Sequence, residues 1–138
     1  MTFYAFGLNH ESASVEVTEA FALDEATRQS LYRTISLQPD AELILLSTCN
    51  RTEAFLYGEQ SDVSRVQQAL ATTAGEPWPS DCSFLLEDEP AVQHVLELTS
   101  GLRSLVLGDA QILAQMKDAY RGAVEADTVD TLLHRLMH

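Results

Sequence analysis

Positive charge is in short supply. The 138 residues carry eight Lys and Arg against 21 Asp and Glu, a formal net charge of −13 at pH 7. A field of that sign repels polyanions over the surface as a whole. Any nucleic-acid contact must therefore be local, with compensating charge elsewhere in a longer protein. Cysteine is scarce too. Cys49 and Cys82 are the only two, too few for a disulfide framework, and no Cys/His spacing resembles a zinc site. Two thiols fit a reducing compartment, and they are enough for a redox switch if their Cα atoms lie within about 7 Å. No apolar run approaches the roughly 20 residues that a membrane span needs. The start, Met1-Thr2-Phe3-Tyr4-Ala5, lacks the charged opening and long apolar core of a signal peptide. A cytoplasmic location with no membrane partner is the expectation. No Gly-x-Gly-x-x-Gly follows a strand pattern, which excludes a dinucleotide-binding unit from these residues.

The chain has the length of one domain, and its apolar content, 46%, is ordinary for a folded core. Residues 3–9 read as an aromatic-rich strand that ends at Asn9-His10. Residues 15–23 form a short helix or turn. Asp24 then caps a helix to about residue 36, with Thr27, Leu31 and Ile35 on one stripe and Pro39-Asp40 as the stop. Residues 43–47 are apolar on both alternating sets, as in a strand covered on two faces. After a tight connection, 52–58 return as an antiparallel partner. Ser61-Asp62 opens a helix with Val63, Val66 and Leu70 on its stripe, ending near Gly75, and 82–86 make a fourth strand. The order β-α-β-β-α-β is the ferredoxin-like pattern.

From Asp88 the chain reads as helix throughout. Asp88 or Glu89 caps, Pro90 sits in a first turn, and Val92, Val95, Leu96 and Thr99 form the buried stripe. A helix over 110–126 buries Ile112, Leu113, Met116, Tyr120 and Ala123, and a last one starts at Thr128 or Asp130. It is still running at His138, which suggests a piece of something longer. The expected fold is α+β, with a ferredoxin-like part over residues 1–87 and a helical part over 88–138.

Reactive groups concentrate where the apolar run 43–47 meets Thr48-Cys49-Asn50-Arg51. A free thiol with a pKa near 8.5 is only about 3% thiolate at pH 7, and a neighbouring cation raises that share. Arg51 is such a cation. If the strand continued to residue 51, its side chain would share a face with Cys49. The plain alternative is a packed cysteine beside an arginine that reaches for solvent. The guanidinium fork also suits a substrate carboxylate, or simply a salt bridge to Glu53. His94, at the edge of its stripe beside Leu98, is a proton shuttle or a half-buried structural residue. His10, His134 and His138 receive no role. Gly108 precedes a helix start, where backbone amides favour an anion. Gln111 and Gln115 lie one turn apart and either line a polar pocket or face solvent.

Three blocks together resemble the N-terminal catalytic domain of glutamyl-tRNA reductase. They are Gly7-Leu8-Asn9-His10 with Val15-Glu16; Leu46-Ser47-Thr48-Cys49-Asn50-Arg51-Thr52-Glu53; and His94 with the run from Ser100 to Gln115 and Lys117 to Tyr120. The resemblance implies an oxidoreductase of tetrapyrrole (porphyrin, 5-aminolevulinate) biosynthesis that reduces glutamyl-tRNA to glutamate-1-semialdehyde. In that reading Cys49 forms a glutamyl thioester and His94 is important for activity. Thr48, Cys49, Asn50, Arg51, Ser104, Asp109, Ala110, Gln111 and Gln115 match substrate-binding positions, with Arg51 on the glutamate side chain. NADPH delivers hydride from a domain beyond this chain, and a further absent domain makes the homodimer. Glutamate-1-semialdehyde aminomutase is the implied pathway partner. Alone, the 138 residues are expected at most to form the thioester and lose it to water as a slow esterase. Asp109-Ala110 stand where the family commonly has Glu-Pro, Arg103 where Asp is frequent, and Glu11 and Ser14 where Lys and Pro are usual. Two readings outside this family stay open: a non-catalytic ferredoxin-like RNA- or protein-binding module, and the Cys49/Cys82 redox switch.

Overall fold

The structure, a computed structural model, describes residues 1–99 and 112–137. Its elements are β1 (Thr2–Asn9), α1 (Val15–Ala20), α2 (Glu25–Thr34), β2 (Glu42–Thr48), β3 (Arg51–Gly58), α3 (Gln60–Ala74), β4 (Phe84–Glu87), α4 (Glu89–Thr99), α5 (Ile112–Glu125) and α6 (Thr131–Met137). The strands lie in the order β2-β3-β1-β4, every neighbouring pair antiparallel. This is the split arrangement of a ferredoxin-like fold, so the expected α+β architecture is the one found. The fourth strand is shorter than expected and begins at Phe84. Cys82 stays in the turn before it, where its backbone N–H bonds to Pro79.

Both faces of the sheet are covered, which is why β1, β2 and β3 are apolar on both alternating sets. On one face the link between α1 and α2 is pinned by hydroxyls. The Leu23 N–H donates to Ser47 Oγ (2.9 Å), and Thr52 Oγ1 donates to the Phe21 carbonyl (3.1 Å). On the other face α4 and α5 pack across β1 and β2. Their buried residues belong to the same apolar cluster as the strands.

The free edge of β2 is sealed by side chains and loop backbone. Leu45 N–H donates to the Tyr32 hydroxyl (2.7 Å), and Leu43 exchanges bonds with Thr128 through its N–H (2.7 Å) and its carbonyl (2.8 Å). An edge closed in this way cannot recruit a further strand. Burial pushes the Tyr32 phenol up to about 12.

Helix ends follow their caps. Asp24 Oδ1 accepts the Thr27 N–H (2.7 Å), and this bond holds its carboxyl below the usual range. The α2 stripe is Arg28, Leu31 and Tyr32, rather than one through Thr27. Arg28 lies against Gly122 of α5, its Nε donating to Gln29 Oε1 (2.9 Å) and its Nη1 4.0 Å from Asp118. Glu59 caps α3 in a capping box with Asp62, so the helix starts before Ser61, and Gly75 closes it at φ 73°. The cap of α6 comes from another element altogether. Glu42, buried on β2, accepts the N–H groups of Asp130 (2.7 Å) and Leu133 (2.9 Å) through one oxygen. Glu42→Ala would leave both N–H groups without that acceptor, the one of Leu133 buried, a cost of about 1–2 kcal/mol. Urea unfolding should show this loss, and hydrogen exchange should speed up first at the amides of α6. Unchanged exchange there would mean that the cap is idle.

In α4 the buried residues are Ala91, His94, Val95 and Leu98, while Leu96 is 48% exposed. Of the stripe expected through Val92, Val95, Leu96 and Thr99, Val95 is buried, and the buried face is rotated from the rest toward His94 and Leu98, because a histidine with a buried partner counts as a core residue. In α5, Leu113 is 43% exposed and Tyr120 half-buried. Ile112, Met116 and Ala123 are buried as expected, and the small residues Ala119 and Gly122 take the rest of the contact. A Cβ on Gly122 would lie 2.5 Å from Arg28 and Gln29 side-chain atoms, so α2 crosses α5 there.

Candidate active site

Thr48 pairs with Arg51 as the last rung between β2 and β3, which leaves Cys49 and Asn50 as a two-residue turn. The strand does not run on through residue 51, so strand alternation does not relate Cys49 to Arg51. The turn separates them instead. Cys49 is exposed, whereas Thr48 and Arg51 on either side are buried. The Asn50 N–H donates to Thr48 Oγ1 (3.2 Å), bracing the tip. A buried hairpin thereby presents a single thiol to solvent.

Behind the turn lies a buried charged network. Arg51 is 1% exposed, Glu53 0% and His94 3%. Arg51 Nη1 donates to Glu53 Oε2 at 2.8 Å, and His94 Nε2 lies 2.5 Å from Glu53 Oε1. Charges this deep persist only when paired and hydrogen-bonded. Here the two oxygens of one carboxylate serve two different elements, β3 itself and α4. The Phe84 ring packs against His94 with centroids 5.1 Å apart.

Gly7 lies opposite Glu53 in the β1–β3 register. Its φ is +145°, and a Cβ there would sit 2.2 Å from the Thr52 carbonyl oxygen and 2.8 Å from Glu53 Cα. Only glycine lets β1 close against β3 beside Glu53. Asn9, in register with Arg51, folds the following loop back: its Oδ1 accepts the N–H groups of Glu11 (2.9 Å) and Ser12 (3.0 Å). Asn9, Glu11, Ser12, Phe84, Leu86 and His94 enclose a cavity of about 220 Å³. Larger hollows of about 400 and 460 Å³ lie along α3 and contain none of the predicted site residues.

Of the predicted residues, Thr48, Cys49, Asn50 and Arg51 gather at the hairpin, and His94 joins them through Glu53. The salt bridge considered as the plain role of Arg51 is present. Gln115, in the first turns of α5, is half-buried, and its Oε1 has no hydrogen-bond partner among the described residues. Ser104, Asp109, Ala110 and Gln111 lie outside the described residues. Glu53 was visible in the sequence only as a rival partner for Arg51. Its link to His94 carries no local signal.

Both cysteines are free thiols. Strands β3 and β1 lie between the turn that carries Cys49 and edge strand β4, which follows Cys82. Among the described residues no cluster of three His, Cys, Asp or Glu could hold a metal ion, and no helix is long and apolar enough to cross a membrane.

A family model for the N-terminal domain of glutamyl-tRNAGlu reductase matches residues 6–138. The glutamyl-tRNA reductase of Salinibacter ruber is 51% identical over 138 residues, covering all of this chain and 29% of the relative. That of Polaromonas naphthalenivorans is 41% identical over 143 residues, covering 99% of this chain and 33% of the relative. The chain thus spans about a third of the length of these relatives. The solved glutamyl-tRNA reductase from Methanopyrus kandleri shares the fold, with a TM-score of 0.75 at 24% identity, over 98% of this chain and 31% of that one. With the sheet order, the exposed turn thiol and the match across nearly every residue in agreement, this chain belongs to the glutamyl-tRNAGlu reductase N-terminal domain family.

Proposed function

We propose that this chain is the part of a glutamyl-tRNA reductase that takes the glutamyl group from glutamyl-tRNA onto Cys49, in tetrapyrrole biosynthesis. The observation that carries this reading is the placement of one exposed thiol on a two-residue turn directly before a buried arginine. The Cys49 thiolate attacks the ester carbonyl carbon, and the bond from that carbon to the tRNA ribose oxygen breaks. The oxygen leaves with the electron pair and takes up a proton, so the products are free tRNA and a glutamyl thioester. Arg51 reads the side-chain carboxylate, its plane held by Glu53. Gln115 offers its Oε1 to the substrate's α-ammonium. Thr48 and Asn50 shape the turn, and His94 handles a proton. Ser104, Asp109, Ala110 and Gln111 are proposed as further substrate contacts on the family resemblance alone.

The residues of this chain do not fit a dinucleotide, for want of the glycine-rich turn, and no hydride step is assigned to them. In the proposed overall reaction NADPH, held outside these residues, supplies hydride that releases glutamate-1-semialdehyde and returns the Cys49 thiol. The proposal extends to a cytoplasmic homodimer whose product passes to glutamate-1-semialdehyde aminomutase. The test is to incubate the whole protein, without NADPH, with glutamyl-tRNA labelled in the amino acid, and then to quench in acid. Label should stay on the protein and be released by hydroxylamine. A folded protein with a free thiol that takes no label would sink the reading. The 138 residues alone should release labelled glutamate slowly and make no semialdehyde.

A further inference from the structure

We propose that Glu53 is a positioning residue that holds His94 as the Nε2–H tautomer, leaving Nδ1 as the ring's basic nitrogen. The inference about the ring stands on geometry, and its consequence for catalysis rests on the acyl-transfer reading above. Glu53 is wholly buried, and one of its oxygens receives a hydrogen bond from Arg51 at 2.8 Å. A guanidinium has only donors, so that oxygen serves as an acceptor. An ionised carboxylate only accepts. The ring nitrogen 2.5 Å from its other oxygen must therefore carry a proton, and that nitrogen is Nε2 of His94. In the neutral imidazole the one ring proton is then on Nε2 and the lone pair on Nδ1. Two neighbours hold the ring in place: Glu53 at Nε2 and Phe84, tilted 51° to the ring plane. His94 also lines the cavity of about 220 Å³ beside Asn9, so the ring borders space that a substrate could enter. One carboxylate thus ties the residue that reads the glutamyl side chain to the residue that moves a proton, and neither is placed independently of the other.

Glu53→Gln separates this role from simple space-filling. The amide has the same shape but one acceptor side and one donor side. Arg51 can only donate, so it takes the amide oxygen. The amide N–H then faces His94 and demands a lone pair on Nε2, which moves the ring proton to Nδ1. In the whole protein, labelled with ¹⁵N at histidine and assigned with His94→Gln, the wild type should show a pyrrole-type shift at Nε2 and a pyridine-type shift at Nδ1. Glu53→Gln should exchange the two. The rate constant for loading Cys49 should fall on the order of 10²- to 10⁴-fold, the scale of losing an oriented acid–base group. The half-saturating concentration of glutamyl-tRNA should change little, because Arg51 keeps an acceptor. A merely structural Glu53 would leave the tautomer unmoved. An unprotonated Nε2 in the wild type overturns the proposal, and so does a folded Glu53→Gln protein with its tautomer or its loading rate unchanged. If Glu53→Gln fails to fold, the wild-type spectrum decides by itself. A wild type with the Nε2–H ring that takes no label would overturn acyl transfer and leave the hold of Glu53 on His94 standing.

Discussion

Cys49→Ser should abolish the label that the wild-type protein takes from glutamyl-tRNA, while Cys82→Ser should load at nearly the wild-type rate. The physical ground is nucleophile chemistry. A thiolate is accessible near neutral pH, whereas a serine hydroxyl keeps its proton unless a base is placed to remove it. Loss of more than about 10³-fold in loading rate, equivalent to about 4 kcal/mol of barrier, is expected. The substitution is sterically small and falls on an exposed turn, where stability changes stay within about 0.5 kcal/mol. An unchanged unfolding midpoint would therefore assign the loss to chemistry rather than to folding. Label retained in folded Cys49→Ser would place the acyl acceptor elsewhere. Label lost in Cys82→Ser as well would show that both thiols matter and reopen the redox reading.

Arg51→Met should have the largest effect on stability. It leaves the Glu53 carboxylate, at 0% exposure, facing His94 without the guanidinium. Removing one member of a buried ion pair costs about 3–5 kcal/mol, mostly because the other charge stays buried without compensation. That is a large part of the roughly 5–15 kcal/mol that holds a domain together, so urea titrations should be run in the cold. The double variant Arg51→Met/Glu53→Gln removes both charges and should recover most of the loss. The resulting coupling should exceed about 2 kcal/mol in a double-mutant cycle. Additive single effects would mean that the 2.8 Å contact contributes nothing as a pair. Neither variant should regain full loading, because the fork that reads the carboxylate is gone from both. Arg51→Lys should also load poorly, since an ammonium keeps the charge but not the planar pair of donors.

Much of the fold was legible because it depends on short-range periodicity. Four strands and the helices between them follow from where the apolar spacing switches between two and three to four residues. The ferredoxin-like strand order follows from chain connectivity. The hairpin was legible for the same reason: two apolar runs with almost nothing between them can only fold back. What failed was any step that carried a local geometry past its end. Continuing β2 through residue 51 placed Arg51 on the face of Cys49, but the chain turns at Cys49-Asn50 and β3 begins at Arg51 itself. Treating His94 as a polar edge residue rotated the α4 stripe, because a side chain's polarity was known and its partner was not.

By itself, then, the sequence determined the elements, their order and the thiol at a strand's end, since each is written in neighbouring residues. Only the tertiary structure decided that Arg51, Glu53 and His94 form one buried unit. His94 lies 41 residues from Glu53 along the chain. Their contact exists because α4 packs across the sheet face on which Glu53 points, next to a glycine that lets β1 close against β3. Burial turns that geometry into chemistry, because a carboxylate removed from water must satisfy both oxygens, and the ring that satisfies one of them has its proton placed for it.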